Sequence, residues 1–311
     1  MEMVTLLTAT LHAAIISATP ILYAALGEIF AERSGVLNLG VEGIMLVGAA
    51  TGFYTVVNSQ SLLLGVLATV AVSLLFGLIF SFITITLRAS QVVTGLVLTI
   101  FGTGLSAFLG KSMIGQASPV IFHKIPVPVL SKIPILGHVL FNHDMLVYVL
   151  YLLVPLSWFF IYRTREGLNL RAVGENPAAA DALGINVFAV RYFYVCLGSI
   201  FAGLAGAYLS LAYAPSWLEN MSGGRGWIAI VLVIFATWNP VRAALGALIF
   251  GGVDVLGFKF QARGIGISPY FMRMLPYLIT IIVLIIITAR SQMAKNLMPK
   301  ALTIPYDREE R

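Results

Sequence analysis

From Ser61 to Leu87 the chain runs 27 residues without one charged side chain. About 20 apolar residues are enough for a helix to cross the hydrocarbon core of a bilayer. In lipid every backbone N–H and C=O must be satisfied within the protein, which makes such a run a transmembrane helix. Composition agrees: 59% of the 311 residues are hydrophobic and 10% are charged, against roughly 25% charged in a soluble domain. The expected fold class is an all-α polytopic membrane protein.

Nine apolar segments follow one another: Leu6–Phe30, Ser34–Val57, Ser61–Leu87, Ala89–Gly110, Met145–Tyr162, Tyr192–Ala214, Gly226–Trp238, Ala243–Phe258 and Met274–Ala289. They read as a single transmembrane domain over 1–311. Residues 1–110 form a first half, 111–144 a Pro-rich outer loop, and 145–191 a connecting span with a basic loop. Residues 192–289 form a second half and 290–311 a tail. With nine spans and the C-terminus inside, 12 of the 19 Lys and Arg fall inside, including Arg33, Arg163, Arg171, Arg191 and Arg242. This bias predicts an outside N-terminus. The net charge of +6 comes from residues scattered between apolar runs, with no basic stripe interleaved with aromatics, so no nucleic-acid partner is expected. The first segment has no basic residues before it, which argues against a cleaved signal peptide. The single Cys196 leaves no disulfide framework.

Two segments are unlike simple lipid-facing helices. The second opens SGVLNLGVEG and carries Asn38 and Glu42; the seventh is short, between SGGRG and Asn239-Pro240. In a nine-span arrangement they run in opposite directions at matching places. That is the pattern of an inverted repeat relating spans one to four to spans six to nine, with its substrate path at the broken segments. Asn38 and Glu42 are four apart and, on a helix, share a face. A mid-span carboxylate costs about 2.5–3.5 kcal/mol on insertion scales. Glu42 therefore lines the path, or lies at the inner boundary and pairs with Arg33 or Arg88. Arg225 and Trp227 stand at the mouth of the seventh span. Trp227 is either an aromatic-belt residue or a platform on which a base could stack.

The loop segment GENPAAADALGINV (174–187) predicts a short surface helix of about two turns. Asn176 caps it, Pro177 fits its first turn and Gly184 stops it. This string resembles the coupling loop of ABC importer permeases, whose pattern is Glu-Ala-Ala, three residues, then Gly. Aligned on Gly184, the alanines match Ala179 and Ala180, while Ala178 stands where the family has Glu. ERSGVLNLGVEGIMLVGA (32–49) and ENMSGGRGWIAIVLVIFATWNPVRAALGALIFG (219–251) narrow the resemblance. The chain is similar to the branched-chain amino acid, ribose and nucleoside group. Within it, it most resembles nucleoside and simple-sugar permeases that work with PnrA/BmpA-type binding lipoproteins, over about Thr19 to Leu284.

The resemblance implies an importer subunit moving nucleosides, or simple sugars, across the plasma membrane. Gly174, Glu175, Asn176, Pro177, Ala179, Ala180 and Gly184 would form the contact with a cytoplasmic ABC ATPase of two fused nucleotide-binding domains. It further implies a second, related permease subunit and an extracytoplasmic substrate-binding lipoprotein. The chain would bind no cofactor; ATP and Mg would be used by the ATPase. The alternative is an ion-coupled secondary transporter, which would place several ionisable residues at mid-membrane. No catalytic arrangement stands out. MSGGR (221–225) falls between spans, and GLSAFLGKS (104–112) has one residue too many for a phosphate loop. His123, His138, His143 and Asp144 fit no compact metal motif.

Overall fold

The computed structural model describes residues 2–262, single positions between 271 and 285, and residues 298–308. The long helices are α1 (Glu2–Arg33), α2 (Val41–Ser59), α3 (Leu62–Ser81) and α4 (Gln91–Gly110). After a loop with the short helix α5 (Leu136–Leu140) come α6 (Met145–Arg163), α7 (Arg165–Glu175) and α8 (Pro177–Ala182). Then follow α9 (Val187–Tyr208), α10 (Arg225–Phe235) and α11 (Pro240–Ala262). Among the described residues seven helices are long and apolar enough to cross a membrane, and α10 is a shorter apolar one. The expected span Met274–Ala289 lies largely outside the described residues.

Local chemistry sets the ends. Ser61 and Ser90 accept backbone N–H groups at the starts of α3 and α4, and Asp144 accepts those of Leu146 and Val147 at the start of α6. α1 runs three residues past the expected Phe30. It closes at Gly35, whose φ of 89° is the left-handed conformation common at helix ends. The second span is shorter than expected. Residues 36–40 are not helical, and α2 starts only at Val41.

Of their apolar windows, 72–89% is buried in α1, α2 and α9, against 28–33% in α3, α4, α6 and α11. The first three therefore form the centre and the others turn most of their surface outward. α1 and α9 cross where Gly27 meets Gly198: a Cβ on Gly27 would lie 2.5 Å from the Gly198 carbonyl oxygen. Small residues at such crossings allow the backbone approach that drives helix association in lipid. α9 also packs on α2 and α3, and α1 on α10 and α11.

The two large loops lie at opposite ends. Residues 111–144 carry a two-stranded ribbon of β1 (Ile125–Pro126) and β2 (Asn142–His143), paired Ile125 to His143. Here the His12 ring of α1 stacks on His138 and His143, with centroids 4.9 and 4.4 Å apart. Among the described residues no three His, Cys, Asp or Glu are placed to share a metal ion. The other end carries α7, α8 and residues 298–308.

Candidate functional site

The breaks between helices are held by buried carboxylates. Glu42, in the first turn of α2, is 4% exposed. Its Oε1 accepts the Ser222 hydroxyl at 2.5 Å and the Gly224 N–H at 2.9 Å, and its Oε2 accepts the Gly226 N–H at 2.7 Å. α10 has no side-chain cap of its own, so a residue 184 positions earlier in the chain caps it. Two helix N-termini thus converge on one carboxylate, each favouring negative charge. The approach needs glycine: a Cβ on Gly226 would lie 2.7 Å from the Glu42 Cα. Glu42 pairs with neither Arg33 nor Arg88, both of which bond elsewhere.

Depth follows from α10. Its 11 residues rise about 16 Å from Glu42 to the level of Trp238, where Arg33, Arg163, Arg171 and Arg242 gather around Trp158 and Tyr162. Taking that basic, aromatic level as the membrane boundary places Glu42 roughly half way through a ~30 Å hydrocarbon core.

Two more carboxylates do the same work on α1, and sequence reading overlooked both. The Glu28 Oε1 accepts the Asn38 N–H at 2.7 Å in the break before α2. The Glu32 Oε2 accepts the Trp238 indole N–H at 2.6 Å in the break after α10. Both glutamates are 1% exposed. Thr237 and Trp238 have φ of 51° and 55°, a conformation costing about 1–2 kcal/mol per residue. Arg33 donates from Nη2 to both of their carbonyls, at 3.5 and 3.4 Å. The Glu-x-x-x-Glu spacing at 28 and 32 was the available signal. Ending the first span at Phe30 concealed it.

The residues expected on a substrate path separate into two places. Asn38 is buried in non-helical chain, where its Oδ1 accepts the Gly40 N–H at 2.9 Å. It therefore does not share a helix face with Glu42, because no helix joins them. Arg225 and Trp227 lie with Glu42 at the start of α10. The Arg225 guanidinium is 3.3 Å from the Asp254 carboxylate and stands over the Tyr213 ring, 5.3 Å from its centroid. Asp254 also accepts the Ser17 hydroxyl at 2.7 Å, which ties the start of α10 to the middle of α1 and the later part of α11. Trp227 is half-buried against the main core.

At the other site, α8 forms as its sequence demands. The Asn176 Oδ1 accepts the Ala179 N–H at 3.0 Å, and Pro177 occupies the first turn. Gly184, with φ of 84°, ends it, and the Ile185 N–H returns to the Ala180 carbonyl at 3.1 Å. Ala178 and Ala179 face outward and Ala180 is buried. Glu175 ends α7 exposed. Gly174 is buried so close to Arg33 that a Cβ would lie 2.1 Å from its carbonyl oxygen. The helix α7 was not foreseen, although Thr164 caps it by accepting the Gly167 N–H.

The expected tail is folded onto this loop. The Ala301 N–H donates to the Gly174 carbonyl at 2.9 Å. Arg191 donates to the carbonyls of Ser34 and Ile304 at 3.2 and 3.3 Å. Tyr306 packs with Val173, Ala180 and Val187. Asp307 pairs with Arg88, and the Arg308 Nε lies 3.1 Å from the Asp181 carboxylate. One short segment thus joins α8, the α3–α4 turn and the base of α9.

This framework of broken helices and an exposed loop helix can be set beside known proteins. Residues 10–284 match the family model described as branched-chain amino acid transport system / permease component. The chain is 39% identical to a putative glucose ABC transporter permease, TsgC13, of Haloferax volcanii, over 96% of this chain and 97% of that one. It is 34% identical to the guanosine ABC transporter permease NupQ of Bacillus subtilis over the whole of both chains. It is 36% identical to the nucleoside ABC transporter permease NupC of Lactococcus lactis, over 94% of each. No solved structure matches. The chain belongs to the family of branched-chain amino acid transport system permease components.

Proposed function

We propose that the chain, as the permease subunit of an ABC importer, carries nucleosides inward across the plasma membrane. One observation carries the coupling half of this reading. α8 is locked to its own chain through Ala180 and Tyr306, yet turns Ala178, Ala179 and an 82% exposed Leu183 outward. An exposed leucine beside a capped, rigid surface helix suits the cleft of a partner. ATP binding, with Mg, would close a cytoplasmic ATPase of two fused nucleotide-binding domains, and α8 would pass that closure to the spans. A second, related permease and an extracytoplasmic binding lipoprotein complete the assembly.

Similarity to guanosine and nucleoside permeases supports the cargo; the glucose relative supports simple sugars as the second reading. Arg33, Arg88, Arg171, Arg191 and Arg308 gather at the α7–α8 end, which supports a cytoplasmic loop and an outside N-terminus. Nine spans in an inverted repeat draw support from packing. α1 lies on α11 as α9 lies on α3, as expected if the first and third spans exchange with the sixth and eighth. α2 and α10, the proposed repeat partners, meet at Glu42.

The test is uptake into proteoliposomes holding both permeases, the ATPase and the binding protein. ATP should drive accumulation of labelled guanosine, with glucose as comparison. Uphill uptake by this chain alone on an ion gradient would overturn the reading.

A further inference from the structure

We propose that the cleft between α6 and α11 binds one anionic phospholipid, its phosphate among arginines and its acyl chains along an apolar groove. The cationic end is a cavity of about 490 Å³. Arg33, Arg163, Arg171 and Arg242 line it, with Glu175 the one carboxylate. Among the described residues none of these arginines forms an ion pair; the three that exist involve Arg88, Arg225 and Arg308. Their partners are neutral. Arg33 donates to the Tyr162 hydroxyl at 3.2 Å, and Arg242 to the Thr237 hydroxyl at 2.6 Å. Arg171 and Arg163 stand over the rings of Tyr162 and Trp158, 5.5 and 5.8 Å from the centroids. The Nε of Arg33 is buried and has no hydrogen-bond partner among the described residues. Four guanidinium groups face the one lining carboxylate, Glu175, with Glu32 beside Arg33 behind the wall; this cationic excess, with a buried donor unspent, calls for an anion rich in acceptor oxygens.

The same two helices continue into an apolar groove of about 410 Å³. Leu150, Val154 and Pro155 of α6 and Ala244 and Leu248 of α11 line it. Pro155 lies one turn from Trp158, and Ala244 two residues from Arg242, so the lining changes from apolar to cationic along one line. Flanking Leu152, Leu156, Leu245 and Ile249 are exposed, as surfaces toward lipid are. Free phosphate or an acidic side chain of a partner would use only the arginines. A molecule with a phosphate and long chains uses both parts, and basic pockets between transmembrane helices suit anionic headgroups. On the orientation proposed above, the headgroup lies in the cytoplasmic leaflet.

Native mass spectrometry of the purified full chain in detergent tests this, with palmitoyl-oleoyl phosphatidylglycerol and the matching phosphatidylcholine as probes. The chain should retain phosphatidylglycerol selectively. The double variant Arg163→Gln/Arg242→Gln should bind it about thirty-fold more weakly, as expected for two basic residues near an anionic surface, with phosphatidylcholine unchanged. The charge-preserving Arg163→Lys/Arg242→Lys should bind more tightly than the glutamine variant. Ala244→Trp, which blocks the groove, should lower retention with every arginine in place. Equal retention of both lipids overturns the proposal. So does thermal stabilisation by inorganic phosphate or glycerol 3-phosphate equal to that by the lipid, which would mark a free-anion site. Loss of ATPase association in the Gln variant with unchanged lipid retention would make the cavity a protein contact and also overturn it. Each readout is independent of transport.

Discussion

Replacing Glu42 separates a cap from a substrate ligand. Glu42→Ala leaves the N–H groups of Gly224 and Gly226 without their acceptor in a site only 4% exposed. A buried donor left unmade costs about 1–3 kcal/mol, so the two together cost about 2–6 kcal/mol; the Ser222 hydroxyl can rotate toward another acceptor. Glu42→Gln is milder. Its oxygen can still accept Ser222 and Gly224, but its amide then faces the Gly226 N–H, donor against donor, at a cost of about 2–3 kcal/mol. At roughly 1.5 °C per kcal/mol for a chain of 311 residues, the glutamine variant should melt about 3–5 °C lower and the alanine variant lower again. Purified protein followed by tryptophan fluorescence during heating measures this, with guanosine uptake run in parallel. A cap predicts stability loss with KM for guanosine little changed in the protein that remains folded. If Glu42→Ala melts within about 1 °C of the parent while KM rises, the capping argument is wrong and Glu42 touches the cargo.

Further outcomes are fixed by the same geometry. Asn176→Ala should destabilise α8 by about 1 kcal/mol and lower uptake coupled to ATP hydrolysis, read as substrate moved per ATP with membrane insertion unchanged. Trp227→Ala should impair nucleoside uptake while assembly survives; unchanged uptake removes this side chain from the path. Burial pushes the His143 imidazole below its usual value, and its Nδ1 has no partner among the described residues. The unfolded chain therefore binds that proton more readily, and stability should fall as pH drops from about 6.5 toward the lower folded value. Burial raises the neighbouring Asp144 in spite of its backbone hydrogen bonds, which works in the opposite sense above its ordinary range. His143→Gln should reduce the histidine part of the pH dependence, the buried His12 ring stacked on it being left in place, as read by melting between pH 7.5 and 5.5.

Elements whose signals are local were legible in the sequence. Uncharged runs starting at Ser61, Ala89 and Met145 marked spans, and the caps Ser61, Ser90 and Asp144 lie within a residue of those starts. Asn176, Pro177 and Gly184 defined α8 for the same reason. Asn38 shows where locality fails. A helical spacing placed it with Glu42, but the turn at Gly35 and the Glu28 carboxylate hold residues 36–40 out of the helix. What fixes Glu42 is a glycine-rich turn 180–184 residues away, and no periodicity reports such a partner. Residues 298–308 fall within the 290–311 stretch read as a tail, since their anchors at Gly174, Arg191 and Asp181 become neighbours only after the bundle forms.

The long reach of these caps also sets an order of events during biogenesis. The partner of Glu42 is made 184 residues after it, and that of Glu32 206 residues after it. At about 5–20 residues per second of synthesis, both carboxylates must wait roughly 10 to 40 seconds for α10. Through that interval the nascent N-terminal half holds Glu42 unmatched at a depth where an isolated carboxylate costs about 2.5–3.5 kcal/mol, and Glu32 unmatched at the boundary. It must linger beside water or the insertion machinery, and a chain that stops short of Ser222 should be recognised as unfinished and degraded.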